Sequence, residues 1–116
     1  MRRIKILGTT YKVYLNVPYT NDPGLSGVFG YTSFHGKKIV VVDVRTVPGW
    51  EDVDEADALD TFACTVRHEV IHAYLMESGL NGSANQTDCW ARNEEMVDWF
   101  ALQMPKLIKT FCELGV

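Results

Sequence analysis

The chain has no apolar run approaching the ~20 residues that a membrane-spanning helix requires, so no helical membrane protein is expected. Cysteine is sparse. Cys64, Cys89 and Cys112 are odd in number, widely spaced and without a Cys-x-x-Cys pair, and they read as reduced, mostly buried thiols of a cytoplasmic protein. Clustered positive charge is missing too. No Lys/Arg group exceeds two residues, net charge is −4 and pI is about 5.2, which argues against a nucleic-acid partner held through phosphates. The basic Met1-Arg2-Arg3 is followed by neither a long apolar segment nor a small-residue cleavage site, so a secretory signal is not expected. There is no internal repeat, low-complexity tract or linker. Histidine, like cysteine, occurs only three times, and two of the three histidines lie four positions apart.

At 116 residues and 47% hydrophobic content, the composition is that of one small domain spanning residues 1–116. Strand signals come first. Arg3 to Leu7 alternates, Gly8-Thr9 offers a turn, and Tyr11, Val13, Leu15 and Val17 alternate again, so a hairpin is expected. Pro18 to Gly27 is loop-like. Val28 to Phe34 and Lys37 to Val44 form a second strand pair about His35-Gly36, and Ile39-Val40-Val41-Val42 is the strongest strand signal. After Pro48-Gly49-Trp50, an acidic stretch from Glu51 to Asp60 leads into a long helix, its negative charge suiting a helix N-terminus. Leu59, Phe62, Ala63, Val66 and Val70 give that helix an apolar stripe, and Gly79 ends it, with Asn81-Gly82-Ser83 beyond. A second helix is expected from about Thr87 to Gln103, with Pro105 opening a short C-terminal helix that carries Leu107, Ile108, Phe111 and Leu114. The order predicts an α+β domain: a small, mainly antiparallel sheet of about four strands against two long helices and the short third one.

His68-Glu69-Val70-Ile71-His72 is the stretch with chemical content. Residues four apart share a helix face, so both imidazoles can reach one metal ion, while the carboxylate of Glu69 projects beside that face without ligating. Zinc needs neutral imidazole nitrogens and acidifies bound water toward pKa ~7, which a neighbouring carboxylate can exploit. Two histidines do not complete a catalytic site, and no histidine follows His72. Glu77, five residues past His72 on the same helix, points away from the histidine face. Glu94 and Asp98 are i, i+4 on the second helix and can both face the first. Glu94 then supplies a third ligand and leaves a position open for water. Asp98 accepts the free ring N–H of His68 or of His72. Glu95 lies about 100° further round and reads as a solvated side chain. Cys89 is a weaker ligand candidate.

His68-Glu69-x-x-His72 followed by Asn93-Glu94-x-x-x-Asp98 resembles the gluzincin zinc metallopeptidases, whose first motif is followed some twenty or more residues later by a helix bearing Asn-Glu-x-x-x-Asp. With Phe100-Ala101 after the second motif, the chain is similar to small ImmA/IrrE-type metallopeptidases of bacteria and their mobile elements. The resemblance covers roughly residues 54 to 105. It departs from that family where Met104-Pro105 arrives early, and the first fifty residues carry no specific match. It implies a minimal zincin-like fold, a Zn2+ cofactor on His68, His72 and Glu94, and a protein or peptide substrate in the cytoplasm, with a transcriptional repressor as the kind of partner such enzymes cut.

The expected chemistry is peptide hydrolysis in which Glu69 takes a proton from the attacking water and passes it to the leaving amine. A Tyr or His donor usually assists the oxyanion, and His35, Tyr31 and Tyr74 are the candidates. An extended substrate is expected to add to a sheet edge, with Lys37 to Val44 the first candidate and Val28 to Phe34 the second. Burial of Lys37 to Val44 at the sheet centre is the competing reading of its continuous Val/Ile run. Two other classes stand beside this one. One is a non-peptidase zinc hydrolase of the three-histidine kind, which the missing third His and the acidic pI disfavour. The other is a catalytically silent zinc domain for partner binding, for which a free Glu69 carboxylate has no use.

Overall fold

The computed structural model describes residues 1–81 and 90–116. Alternating side chains make Arg2–Ile6 (β1) and Thr9–Val17 (β2) an antiparallel hairpin whose register pairs Ile6 with Thr9. The two-residue turn is therefore Leu7-Gly8, one position earlier than Gly8-Thr9, and both residues take positive φ (46° and 88°). That double positive φ matches the strand twist, and glycine adopts it without a Cβ penalty.

Gly30–Ser33 (β3) and Lys38–Val42 (β4) form the second hairpin, and β4 pairs on its other side with β2 in parallel. The sheet order is β1-β2-β4-β3, a mixed sheet with two antiparallel pairings and one parallel. Lys37 to Val44 is consequently not an edge. Its strand β4 is interior, and among the described residues the edges are β1 and, beside β4, β3. The physical reason lies in the Val/Ile run itself. Ile39 and Val41 join Ile6, Tyr11, Val13 and Ala73 in one buried cluster, while Val40 and Val42 join Leu25, Val44 and Ala58 in another. A strand covered on both faces has no polar alternation to show.

Helix α1 (Glu55–Glu77) starts where the Asp54 side chain accepts the Ala56 N–H at 2.8 Å, with Glu55 and Asp57 in its first turn. Phe62, Val66, Val70 and Ala73 pack on the sheet, whereas Leu59 is 61% exposed and falls outside the apolar stripe expected for it. Gly79, at φ 84°, ends the helix. Glu77 points away from the histidine face, as its spacing demands. It accepts from Thr9 Oγ1 (2.8 Å), Tyr11 Oη (2.8 Å) and Lys37 Nζ (2.8 Å), clasping the helix end to both hairpins. These donors hold its carboxyl down at about 2, the bond from Lys37 first among them, and burial together with the same contact raises the Tyr11 phenol.

Helix α2 runs unbroken from Glu94 to Leu114, so no separate C-terminal helix exists and Pro105 lies inside α2. Thr87 to Cys89, placed at the start of this helix by the sequence, lie outside the described residues, as do Gly82 and Ser83. A proline has no N–H for the carbonyl four residues back, which here is that of the fully buried Ala101. The Nε–H of Arg67 on α1 donates to that oxygen instead. An inter-helix bond thus meets the need that would otherwise favour a break. Beyond it Ile108, Phe111 and Leu114 remain exposed. Among the described residues no helix is long and apolar enough to cross a membrane.

Candidate metal centre

Four side chains from two helices converge. His68 and His72 stand one turn apart on α1 with their Nε2 atoms 2.9 Å apart. Their partner carboxylate comes from the first residue of α2. The Asn93 side chain accepts the Met96 N–H at 2.8 Å, and this cap sets where the helix begins and makes Glu94 its first residue. A carboxylate at that position is favoured by the helix dipole. Glu94 Oε2 lies 3.1 Å from His68 Nε2 and 3.2 Å from His72 Nε2. One turn later, Asp98 Oδ1 is 2.7 Å from His68 Nδ1. Asp98 therefore serves His68, not His72. An anionic acceptor there puts the ring proton of His68 on Nδ1 and leaves Nε2 with its lone pair free.

This donor set suits a cation. Two imidazole nitrogens and a carboxylate oxygen crowd one point, and His68, His72 and Glu94 form a group that can hold a metal ion. Donors ~2.1 Å from one tetrahedral ion stand roughly 3.4 Å apart, close to the 2.9 to 3.2 Å separations here. Among the described residues, three protein donors meet at this point.

Glu69 stands beside this group without joining it. Its Oε1 is 4.0 Å from His68 Nε2 and its side chain is only 7% exposed. The Thr32 hydroxyl, on β3, lies 2.7 Å from Oε2 of Glu69 and 2.9 Å from the Glu69 backbone carbonyl. Burial pushes the Glu69 carboxyl above the usual range, and the Thr32 bond and the two imidazoles partly oppose that. A desolvated carboxylate with raised proton affinity is what a general base near neutral pH requires.

The group opens into a cleft of about 380 Å³ lined by Val28, Gly30 and Thr32 on one side and His72, Met76 and Glu94 on the other. Edge strand β3 is one wall. A second hollow of about 270 Å³ continues from it past Cys64, Thr65 and Asp98.

The proposed oxyanion donors are not brought into this arrangement. Tyr31 borders the cleft, but its hydroxyl donates to Asp22 Oδ2 at 2.7 Å and its ring packs on the side of the sheet opposite Thr32. His35 sits exposed in the β3–β4 turn against Phe34. Tyr74, two residues past His72, faces a different, apolar cavity with Val70 and Met104. Glu95 is exposed and borders a separate hollow with Trp90 and Trp99. Cys64 is partly buried, whereas Cys112 is exposed and departs from the buried state expected for it. Cys89 and Asp88 lie outside the described residues.

Thr32 and Gly30 are the residues that sequence reasoning missed. Neither belongs to a motif, and only the pairing of β3 at the edge lays them over Glu69. Comparison with protein-family models, with curated proteins and with solved structures returned no match.

Proposed function

We propose that this chain is a zinc-dependent metallopeptidase of the gluzincin kind, with a minimal zincin-like fold. The observation that carries the reading is the buried Glu69 carboxylate, poised 4.0 Å from a ligand histidine and opening on a cleft walled by a sheet edge. His68, His72 and Glu94 would hold Zn2+, which when bound supplies Lewis-acid charge that acidifies water and polarises a carbonyl.

The chain's own residues do the rest. Asp98 keeps the proton of His68 on Nδ1, so that Nε2 stays available. Glu69 takes the proton of the attacking water on Oε1 and delivers it to the departing amine nitrogen, its burial strengthening the first half of that transfer. The free edge of β3 aligns an extended peptide by main-chain hydrogen bonds. By the resemblance noted above, the substrate is a particular cytoplasmic protein, with a transcriptional repressor as the kind of protein expected.

The test has two stages. Metal analysis of protein purified without added metal should find about one zinc per chain, and a chelator should remove both zinc and cleavage of a quenched-fluorescent peptide mixture. Glu69→Gln should then keep the zinc, cleave nothing and retain substrate protein in a pull-down. Cleavage by Glu69→Gln would refute the role of Glu69. A zinc site filled by a fourth protein ligand would refute the enzyme in favour of a structural metal.

A further inference from the structure

We propose that edge strand β3 is a clamp for the general base: Thr32 fixes the rotation of the Glu69 carboxylate, so that one oxygen is held by the hydroxyl and the other faces the histidines, and Gly30 makes room for its stem. This rests on the reading of Glu69 as the base.

The geometry is specific at both ends of the side chain. At the head, the Thr32 hydroxyl has one proton and two acceptors in reach, the Glu69 carbonyl at 2.9 Å and carboxylate Oε2 at 2.7 Å. The shorter bond is the one to an anion, and bonds of that kind are the stronger. Oε2 is thereby occupied, and Oε1 is left on the side of His68 Nε2. Thr32 is well suited to this, since a β-branched side chain has few χ1 choices and its strand is fixed by the Thr32–Ile39 pairing. At the stem, Gly30 lies on the same face of β3, two residues away. A Cβ there would meet Thr65 Cγ2 at 2.9 Å, the Val40 carbonyl oxygen at 3.0 Å and Glu69 Cγ at 3.2 Å. The strand therefore lies as close to α1 as a bare backbone permits, at the turn of helix that carries Glu69.

An unclamped glutamate has three torsions to sample, and a misplacement of about 1 Å in a reacting group costs on the order of 100-fold in rate. Clamping from β3 has a second consequence. The strand that orients the base is also the strand whose free edge borders the cleft, so a peptide added to that edge stiffens the support of the base.

Thr32→Val keeps the shape and removes the donor, and Thr32→Ser keeps the donor. Against a quenched-fluorescent peptide mixture, Thr32→Val should lower kcat by roughly 10- to 100-fold with KM and zinc affinity within about twofold of wild type, and Thr32→Ser should restore most of it. Crystal structures of the metal-free wild type and Thr32→Val should show the Glu69 carboxylate turned in the variant. Should Thr32→Val not fold, Thr32→Ala replaces it with the same expectations. A loss confined to KM or to zinc affinity, or a Glu69 side chain unmoved in the metal-free variant, overturns the proposal. If wild type cleaves nothing, the peptidase reading fails, while the metal-free crystal structures still decide whether the clamp exists.

Discussion

Replacing Arg67 by Met should destabilise the protein through a proline it never touches in sequence. Arg67 Nε–H donates to the Ala101 carbonyl, which Pro105 leaves without its helical donor. Ala101 is fully buried, so water cannot substitute. Losing a bond from a charged donor and leaving a buried carbonyl unpartnered costs about 2 kcal/mol, within the ~1–3 kcal/mol range for such groups. Methionine retains most of the apolar stem that lines the cavity with Val70 and Met104, which keeps the packing loss small. For a domain of this size the cost lowers Tm by roughly 8 °C. Pro105→Ala changes the arithmetic, because the substituted alanine brings an N–H that reaches the same oxygen. It should itself stabilise by about 1–3 kcal/mol, and in that background Arg67→Met should cost under ~1 kcal/mol. Urea unfolding of the four proteins closes a double-mutant cycle with an expected coupling of about 1–2 kcal/mol. Additive effects of the two substitutions would refute the assignment of Arg67 as the surrogate donor.

Glu77→Gln should flatten the acid limb of the stability curve. The carboxyl sits at about 2 against an ordinary 4.5, so its contribution is complete above pH 4.5 and is lost as pH falls toward 2; chemical unfolding from pH 7 to 2 measures it, and an unchanged slope would count against the clasp. Glu69→Gln should raise the melting temperature of the metal-free protein at pH 7. Its carboxyl is shifted upward by burial, so ionisation costs stability as pH rises through the folded value, and an amide escapes that cost; a lower Tm at pH 7 and an equal one at pH 4 would contradict it. Competition with a chelator should rank zinc affinity as wild type and Glu95→Gln together, then Asp98→Asn about 10- to 100-fold weaker, then Glu94→Gln weakest. Glu95→Gln falling below Glu94→Gln would show the α2 register to be off by one.

The candidate site was more legible than the scaffold that holds it. The spacings that place His68 over His72 and Glu94 below Asp98 are helical periodicities, local and independent of how helices are arranged. Asn93 caps α2 through its own side chain, so even the position of Glu94 follows from adjacent residues. The same periodicity turned Glu77 away from the site. Strand order is a different kind of information. Residues Ile39 to Val42 announce a buried strand, yet burial on both faces and the parallel pairing with β2 depend on residues twenty or more positions away. Pro105 shows a sound local rule overridden by tertiary structure. Proline does favour a break, and the break is averted by a side chain on another helix. Thr32 had no local signal, because a threonine in a four-residue strand gains meaning only from what the fold lays beneath it.

The averted break also bears on the candidate metal centre. Arg67 is the residue before His68, and Ala101 lies three residues past Asp98 on the buried face of α2. The bond between them therefore ties α1 to α2 within one helical turn of His68 and Asp98, two of the four side chains that converge. Glu94 and Asp98 are largely exposed, with 64% and 63% of their side chains open to solvent, so packing around them does little to hold their distance from the histidines. That distance is set by how the two helix backbones meet. Val97 and Ala101 bury their small side chains in the contact, and the Arg67 bond adds a direction that apolar packing lacks. A proline that orphans one carbonyl thus supplies the acceptor by which α1 and α2 are held in register where the candidate metal-holding side chains meet.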